Sequence, residues 1–174
     1  MTPESDGLLR FNALPAEAAA AELRKCCGSA RWVRAICAQR PFASVEQLCG
    51  AAGQIWSGLD SEDWLEAFRH HPRIGEKKGA AGNLSAALQW SAGEQAGVAN
   101  SAEQIQSGLA AGNRAYEARF GYIFIVCATG KSAEEMLALL ENRLQNDPGA
   151  ELRIAAAEQA KIARLRLLKL LRGE

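Results

Sequence analysis

Along most of this chain apolar residues recur at helical spacing, and one short run breaks that pattern. Pro15 opens a segment of alanines with Leu23 on the apolar side, and Gly28 stops it. Ser29 can cap a second helix that puts Trp32, Val33, Ile36 and Cys37 on one face before Pro41 closes it. Ser44 and Gln47 have capping-box spacing ahead of Val45, Leu48, Cys49, Ala52 and Ile55 or Trp56. Asp60 or Ser61 starts a short helix with Trp64, Leu65 and Phe68. Periodicity then vanishes from Pro72 to Asn83, a stretch that reads as a solvated connection or a lid. It returns over Leu84 to Trp90 and over Ser101 to Phe120, where Ile105, Leu109, Gly112, Tyr116 and Phe120 form a stripe. A second capping box, Ser132 with Glu135, precedes Ala133, Met136, Leu137, Leu140 and Leu144. Asn146-Asp147-Pro148 stops that helix, and a long last helix runs to about Leu171.

The exception is Tyr122-Ile-Phe-Ile-Val-Cys-Ala128, a β-branched and aromatic run between Gly121 and Gly130. A lone strand has nothing to pair with, so the pattern predicts a buried extended crossing. The fold class that follows is all-α: a single-domain helical bundle over 1–174 with one buried extended segment near Tyr122–Ala128. No internal repeat or low-complexity linker suggests a second domain.

Charge and cysteines narrow the partners. Twenty basic residues balance twenty acidic ones, and no basic run appears outside the last helix. That argues against a nucleic-acid surface and leaves a small molecule or a protein. The five cysteines match no zinc spacing, and the adjacent pair Cys26-Cys27 is not a C-x-x-C motif. They read as small buried hydrophobes in a reducing cytoplasm, with no metal site. Acids near the N-terminus argue against a signal peptide. The longest apolar run, Tyr122 to Ala128, is far short of the roughly 20 residues that span a bilayer. The expectation is a cytoplasmic protein with no membrane partner.

Three places carry candidate chemistry. The two histidines of the chain are adjacent, and Pro72 pushes His71 toward extended backbone at the end of a helix. A histidine at such a joint can reach a cleft, or simply lie on the surface. In the last helix Ala155, Gln159, Ile162, Arg166 and Leu170 share one row, so an arginine interrupts a buried stripe. Arg166 either snorkels at its edge or needs an anionic or carbonyl partner. Ser91 and Glu94 have capping-box spacing, but a helix N-terminus there would also suit an anionic ligand.

The order of motifs is His71-Pro72-Arg73-Ile74-Gly75, Ser91-x-x-Glu94-Gln95, Asn113-x-x-Tyr116-Glu-x-x-Phe120-Gly121, Phe124-Ile-Val-Cys-Ala128 and Glu158-x-x-Lys161-Ile162-x-x-Leu165-Arg166-Leu167. It closely resembles the 2-oxo-4-hydroxy-4-carboxy-5-ureidoimidazoline (OHCU) decarboxylases of urate breakdown, from about Phe11-Asn12 through Arg40-Pro41-Phe42 to the last helix. The resemblance implies an all-helical decarboxylase with no metal or organic cofactor, whose product is (S)-allantoin. It implies that His71 is the proton donor. Pro72, the stretch Ser91, Ala92, Gly93, Glu94, Gln95 and the stretch Phe124, Ile125, Val126, Cys127, Ala128 would line the substrate site. Arg166 matches the family's site arginine. Glu94 would orient and polarise His71 or bind ureido N–H groups. Some members have an acid where this chain has Arg73. The expectation is a protein without the transthyretin-like hydrolase domain fused to some relatives and, from the ending Arg172-Gly173-Glu174, without a peroxisomal tail. A homodimer is expected, because family members are often dimeric and the last helix has more leucine than one stripe needs. Two other readings stand beside this one: a hydrolase of another ureido compound, and a helical interaction module.

Overall fold

Side-chain caps start most of the helices that the pattern predicts. In the computed structural model, which describes residues 2–75, 86–95 and 102–174, Ser29 accepts from the Trp32 N–H and Ser44 from the Gln47 N–H. Asp60 accepts from the Asp63 N–H, and Ser132 with Glu135 forms a full reciprocal capping box. The Ser44 cap differs in one detail: Gln47 Oε1 takes the Ala43 N–H rather than that of the cap residue itself, at 2.6 Å. Asp147 Oδ1 accepts from the Gly149 and Ala150 N–H groups, so the last helix begins at Pro148 where the preceding one has stopped.

The helices are α1 (Pro3–Ala13), α2 (Ala16–Cys26), α3 (Ala30–Ala38), α4 (Val45–Ser57), α5 (Ser61–Phe68), α6 (Ala86–Glu94), α7 (Glu103–Phe120), α8 (Ala133–Arg143) and α9 (Pro148–Arg172). No strand occurs among the described residues, and Phe124 to Ala128 are extended and all buried. The all-α reading with one buried extended segment therefore holds. Helix α1 is an addition. Its sequence carries only Leu8 and Phe11 as buried large apolar groups, too few to register as a stripe.

The chain divides into two compact units, Met1–His70 with Ala160–Glu174, and His71–Gln159. In the first, α3 packs on α2, α4 and α5, and α1 packs on α4. Trp32 is fully buried there and donates its indole N–H to the Ala52 carbonyl at 3.0 Å. Asn12 and Phe42 exchange two hydrogen bonds at 2.8 and 3.0 Å, and Arg40 Nη1 donates to the carbonyls of Phe11 and Leu14. The motif residues near the N-terminus thus tie α1 to the loop after α3. In the second unit α7 packs on α8, and Leu109, Tyr116, Phe124, Val126, Met136 and Leu140 share one core. Gly121 ends α7 at a φ of +80°, a left-handed conformation that favours glycine.

No helix among the described residues is long and apolar enough to cross a membrane. The lid reading of Pro72–Asn83 falls mostly on residues 76–83, outside the described residues.

Candidate active site

Helix α5 ends at Phe68 with Arg69 as its cap, His71 and Pro72 follow outside it, and the next three residues are each tied down. Arg73 grips Glu117 of α7 with its fork, Nε to Oε1 and Nη2 to Oε2, the latter at 2.9 Å. This guanidinium holds the Glu117 carboxyl below the ordinary glutamate range. Asn113, also on α7 and buried, donates from Nδ2 to the Ile74 carbonyl at 2.8 Å. Gln95 Oε1 accepts from the Gly75 N–H at 3.2 Å. Gly75 itself has a φ of +78°. Arg73 is therefore an anchor of the His71 loop.

His71 is half-buried, and its Nε2 lies 2.5 Å from Oε1 of Gln159 on α9. Gln159 is fully buried, and among the described residues its own Nε2 has no hydrogen-bond partner. In the sequence Gln159 stands on the same buried row as Arg166. The available signal was the one that singled out Arg166: a polar side chain inside an apolar stripe.

The extended run is held from one side. Arg143 Nη1 donates to the Ile125 carbonyl at 2.7 Å, Glu158 Oε2 accepts from the Cys127 N–H at 2.7 Å, and Lys131 Nζ donates to the Cys127 carbonyl at 2.8 Å. Arg143 is in turn paired with buried Glu151, to which the Tyr116 hydroxyl donates. Burial and that bond to Glu151 push the Tyr116 phenol upward, so it stays neutral. Among the described residues no hydrogen bond reaches the main chain of Val126, which lies between the two anchored residues and is 5% exposed. Backbone groups of successive residues in an extended chain point to opposite sides. Val126 thus keeps one N–H donor and one C=O acceptor unpaired among the described residues.

Glu94 is half-buried in the last turn of α6. Burial raises the Cys127 thiol first, and the negative charges of Glu158 and Glu94 add to it, with Lys131 opposing. Ser91 is buried, Gly93 is exposed and Gln95 follows the helix. The side chain of Ala92 lies outside the described residues. One expectation is corrected here: Ser91 does not cap a helix. It is the sixth residue of α6, and its carbonyl accepts the Gln95 N–H at 3.1 Å. The free N–H groups of a helix belong to its first turn, so no anion site of that kind exists at Ser91.

Arg166 belongs to the other unit. It is 4% exposed, which removes the snorkelling alternative, and its Nη1 donates to the Lys25 carbonyl at 3.4 Å. Its charge lowers the Cys26 and Cys27 thiols, but burial outweighs it, and Cys27 is pushed up to about 12. Among the described residues no three His, Cys, Asp or Glu side chains come together to hold a metal ion.

The family model for OHCU decarboxylase matches residues 12–168. The uric acid degradation bifunctional protein of Arabidopsis thaliana is 36% identical over 149 residues, which are 86% of this chain and 46% of that protein. The chain thus spans about half the length of that relative. The 2-oxo-4-hydroxy-4-carboxy-5-ureidoimidazoline decarboxylase of Xenopus laevis is 31% identical over 140 residues, 80% of this chain and 79% of that one. A crystal structure of OHCU decarboxylase in the presence of (S)-allantoin superposes with a TM-score of 0.74 at 34% identity, covering 88% of this chain and 98% of that chain. With every motif from His71 to Arg166 inside the matched span, the chain belongs to the OHCU decarboxylase family.

Proposed function

We propose that this protein decarboxylates 2-oxo-4-hydroxy-4-carboxy-5-ureidoimidazoline to (S)-allantoin and CO2, in urate breakdown, without a cofactor. The observation that carries the reading is the family match over residues 12–168, which contains every proposed site residue. The substrate has a carboxylate and a hydroxyl on one ring carbon, and an imine-like bond at the next. When the bond to the carboxylate breaks, its electron pair moves toward that imine, so no separate electron sink is required. The protein has to hold the carboxylate out of the ring plane, manage protons and stabilise developing charge.

His71 is proposed as the group that handles the hydroxyl proton or protonates the new carbon. Its loop is braced by Arg73, Asn113 and Gln95, which supports a fixed imidazole. The Val126 N–H and C=O form a donor–acceptor pair suited to the edge of a polar heterocycle. Glu94, Ser91 and Pro72 are proposed to line the same site. Arg166 is proposed to bind a ring carbonyl or the ureido oxygen through its planar fork, a role that its burial supports. We also propose a cytoplasmic location, from the five free cysteines, and a homodimer. The test is to add the purified chain to freshly made urate-oxidation intermediates. Accelerated CO2 release supports the decarboxylase. Consumption without CO2 would favour a ureido hydrolase.

A further inference from the structure

We propose that Gln159 is the positioning residue of His71: its amide oxygen fixes the imidazole with the proton on Nε2, so that Nδ1 exchanges the proton with substrate. The inference rests on the decarboxylase reading for the identity of that substrate. Its structural basis is independent of it. A primary amide oxygen only accepts hydrogen bonds, so a 2.5 Å contact to His71 Nε2 requires that nitrogen to be the donor. In neutral imidazole Nδ1 then carries the lone pair, and in imidazolium it carries the mobile proton. In the protonation step the Nδ1–H bond breaks as the new C–H bond forms, and its electron pair stays on Nδ1. What remains is the neutral Nε2–H tautomer, the form that Gln159 holds.

A second observation supports a ligand at this amide. Gln159 is fully buried, yet among the described residues its Nε2 has no partner. A buried N–H donor left unpaired is costly and rare in folded proteins. A carbonyl or ureido oxygen of the substrate is the group of matching chemistry. Gln159 would then do two things: set the imidazole with Oε1 and hold a substrate oxygen with Nε2.

The test is 15N NMR of the imidazoles in the full-length labelled protein, above the histidine pKa. His70 and His71 are the only histidines, so a His70→Asn variant assigns the spectrum. The wild type should show His71 protonated at Nε2. Gln159→Leu should lose that preference and lower kcat by about tenfold to a hundredfold, with an unchanged circular dichroism spectrum. Gln159→Glu keeps an acceptor for Nε2–H, so it should retain the tautomer, while loss of the amide donor raises KM about tenfold. An Nδ1–H tautomer in the wild type would overturn the proposal. So would a His71 spectrum that Gln159→Leu leaves unchanged. Unchanged KM in both variants would overturn the amide-donor role. If Gln159→Leu does not fold, the wild-type tautomer and the Gln159→Glu kinetics still decide. A wild type that releases no CO2 would sink the decarboxylase reading instead, and the tautomer result would stand.

Discussion

His71 is the residue whose loss should cost the most. Asparagine keeps polarity and approximate size but cannot shuttle a proton, and general acid–base catalysis is typically worth about 10²–10⁴-fold. Turnover of His71→Asn should therefore fall by that order with the fold intact, whereas His70→Asn should be mild. A fully active, folded His71→Asn protein would remove histidine from the mechanism. For Arg166, lysine preserves charge and loses the fork, so Arg166→Lys should lower kcat/KM markedly while the helix content stays constant. A variant that unfolds would point to a purely structural arginine. At this scale the sequence was partly readable. The proline beside His71 and the polar break at Arg166 are visible in the order of residues. The Gln159 contact is not, because it joins positions 88 residues apart in sequence. Ser91 was misread because Ser-x-x-Glu spacing occurs inside helices as well as at their starts, and the preceding turns of α6 have almost no amphipathic signal.

Helix–helix contacts turn on a few glycines. A Cβ at Gly7 of α1 would stand 1.8 Å from the Leu171 backbone oxygen, and backbone cannot swing aside. Gly7→Ala should therefore destabilise the protein by at least about 1–3 kcal/mol, the ordinary cost of overpacking. At Gly112 the clash is with Leu140 Cδ2 at 2.6 Å, the far end of a flexible side chain, so Gly112→Ala should cost less. Gly50 in α4 has nothing within 4 Å of its Cβ position, and alanine there should stabilise by about 0.5–1 kcal/mol. Chemical denaturation of the three variants ranks them, and equal midpoints would contradict the packing argument. Caps and stripes made most helices legible, since Ser29, Ser44, Asp60 and Ser132 all cap as their spacing suggests. Helix α1 was not, because its stability comes from the close approach at Gly7 and the Asn12–Phe42 pair, neither of which has a periodic signature.

The buried acids and thiols of the whole molecule set its response to alkali. Burial raises the Cys27 thiol from 9.0 to about 12, and Cys26 and Tyr116 move in the same direction. The folded chain holds these protons more tightly than the unfolded one. Their contribution is complete below about pH 9 and is lost as pH rises toward 12. Tm should therefore fall steadily above pH 9, and a flat profile to pH 11 would contradict the burial of these groups. The all-α class was legible because helical periodicity runs almost throughout, with one β-branched run whose isolation forbids a sheet. The division into two units was not, because α9 is one uninterrupted pattern that belongs to both. The central claim concerns the reaction, and stereochemistry tests it most directly. Loss of CO2 leaves a nearly planar enol that water would protonate on either face. Turnover in deuterated water should give CO2 together with optically active (S)-allantoin that carries deuterium at the new stereocentre. Racemic allantoin, formed no faster than without the protein, would contradict the account.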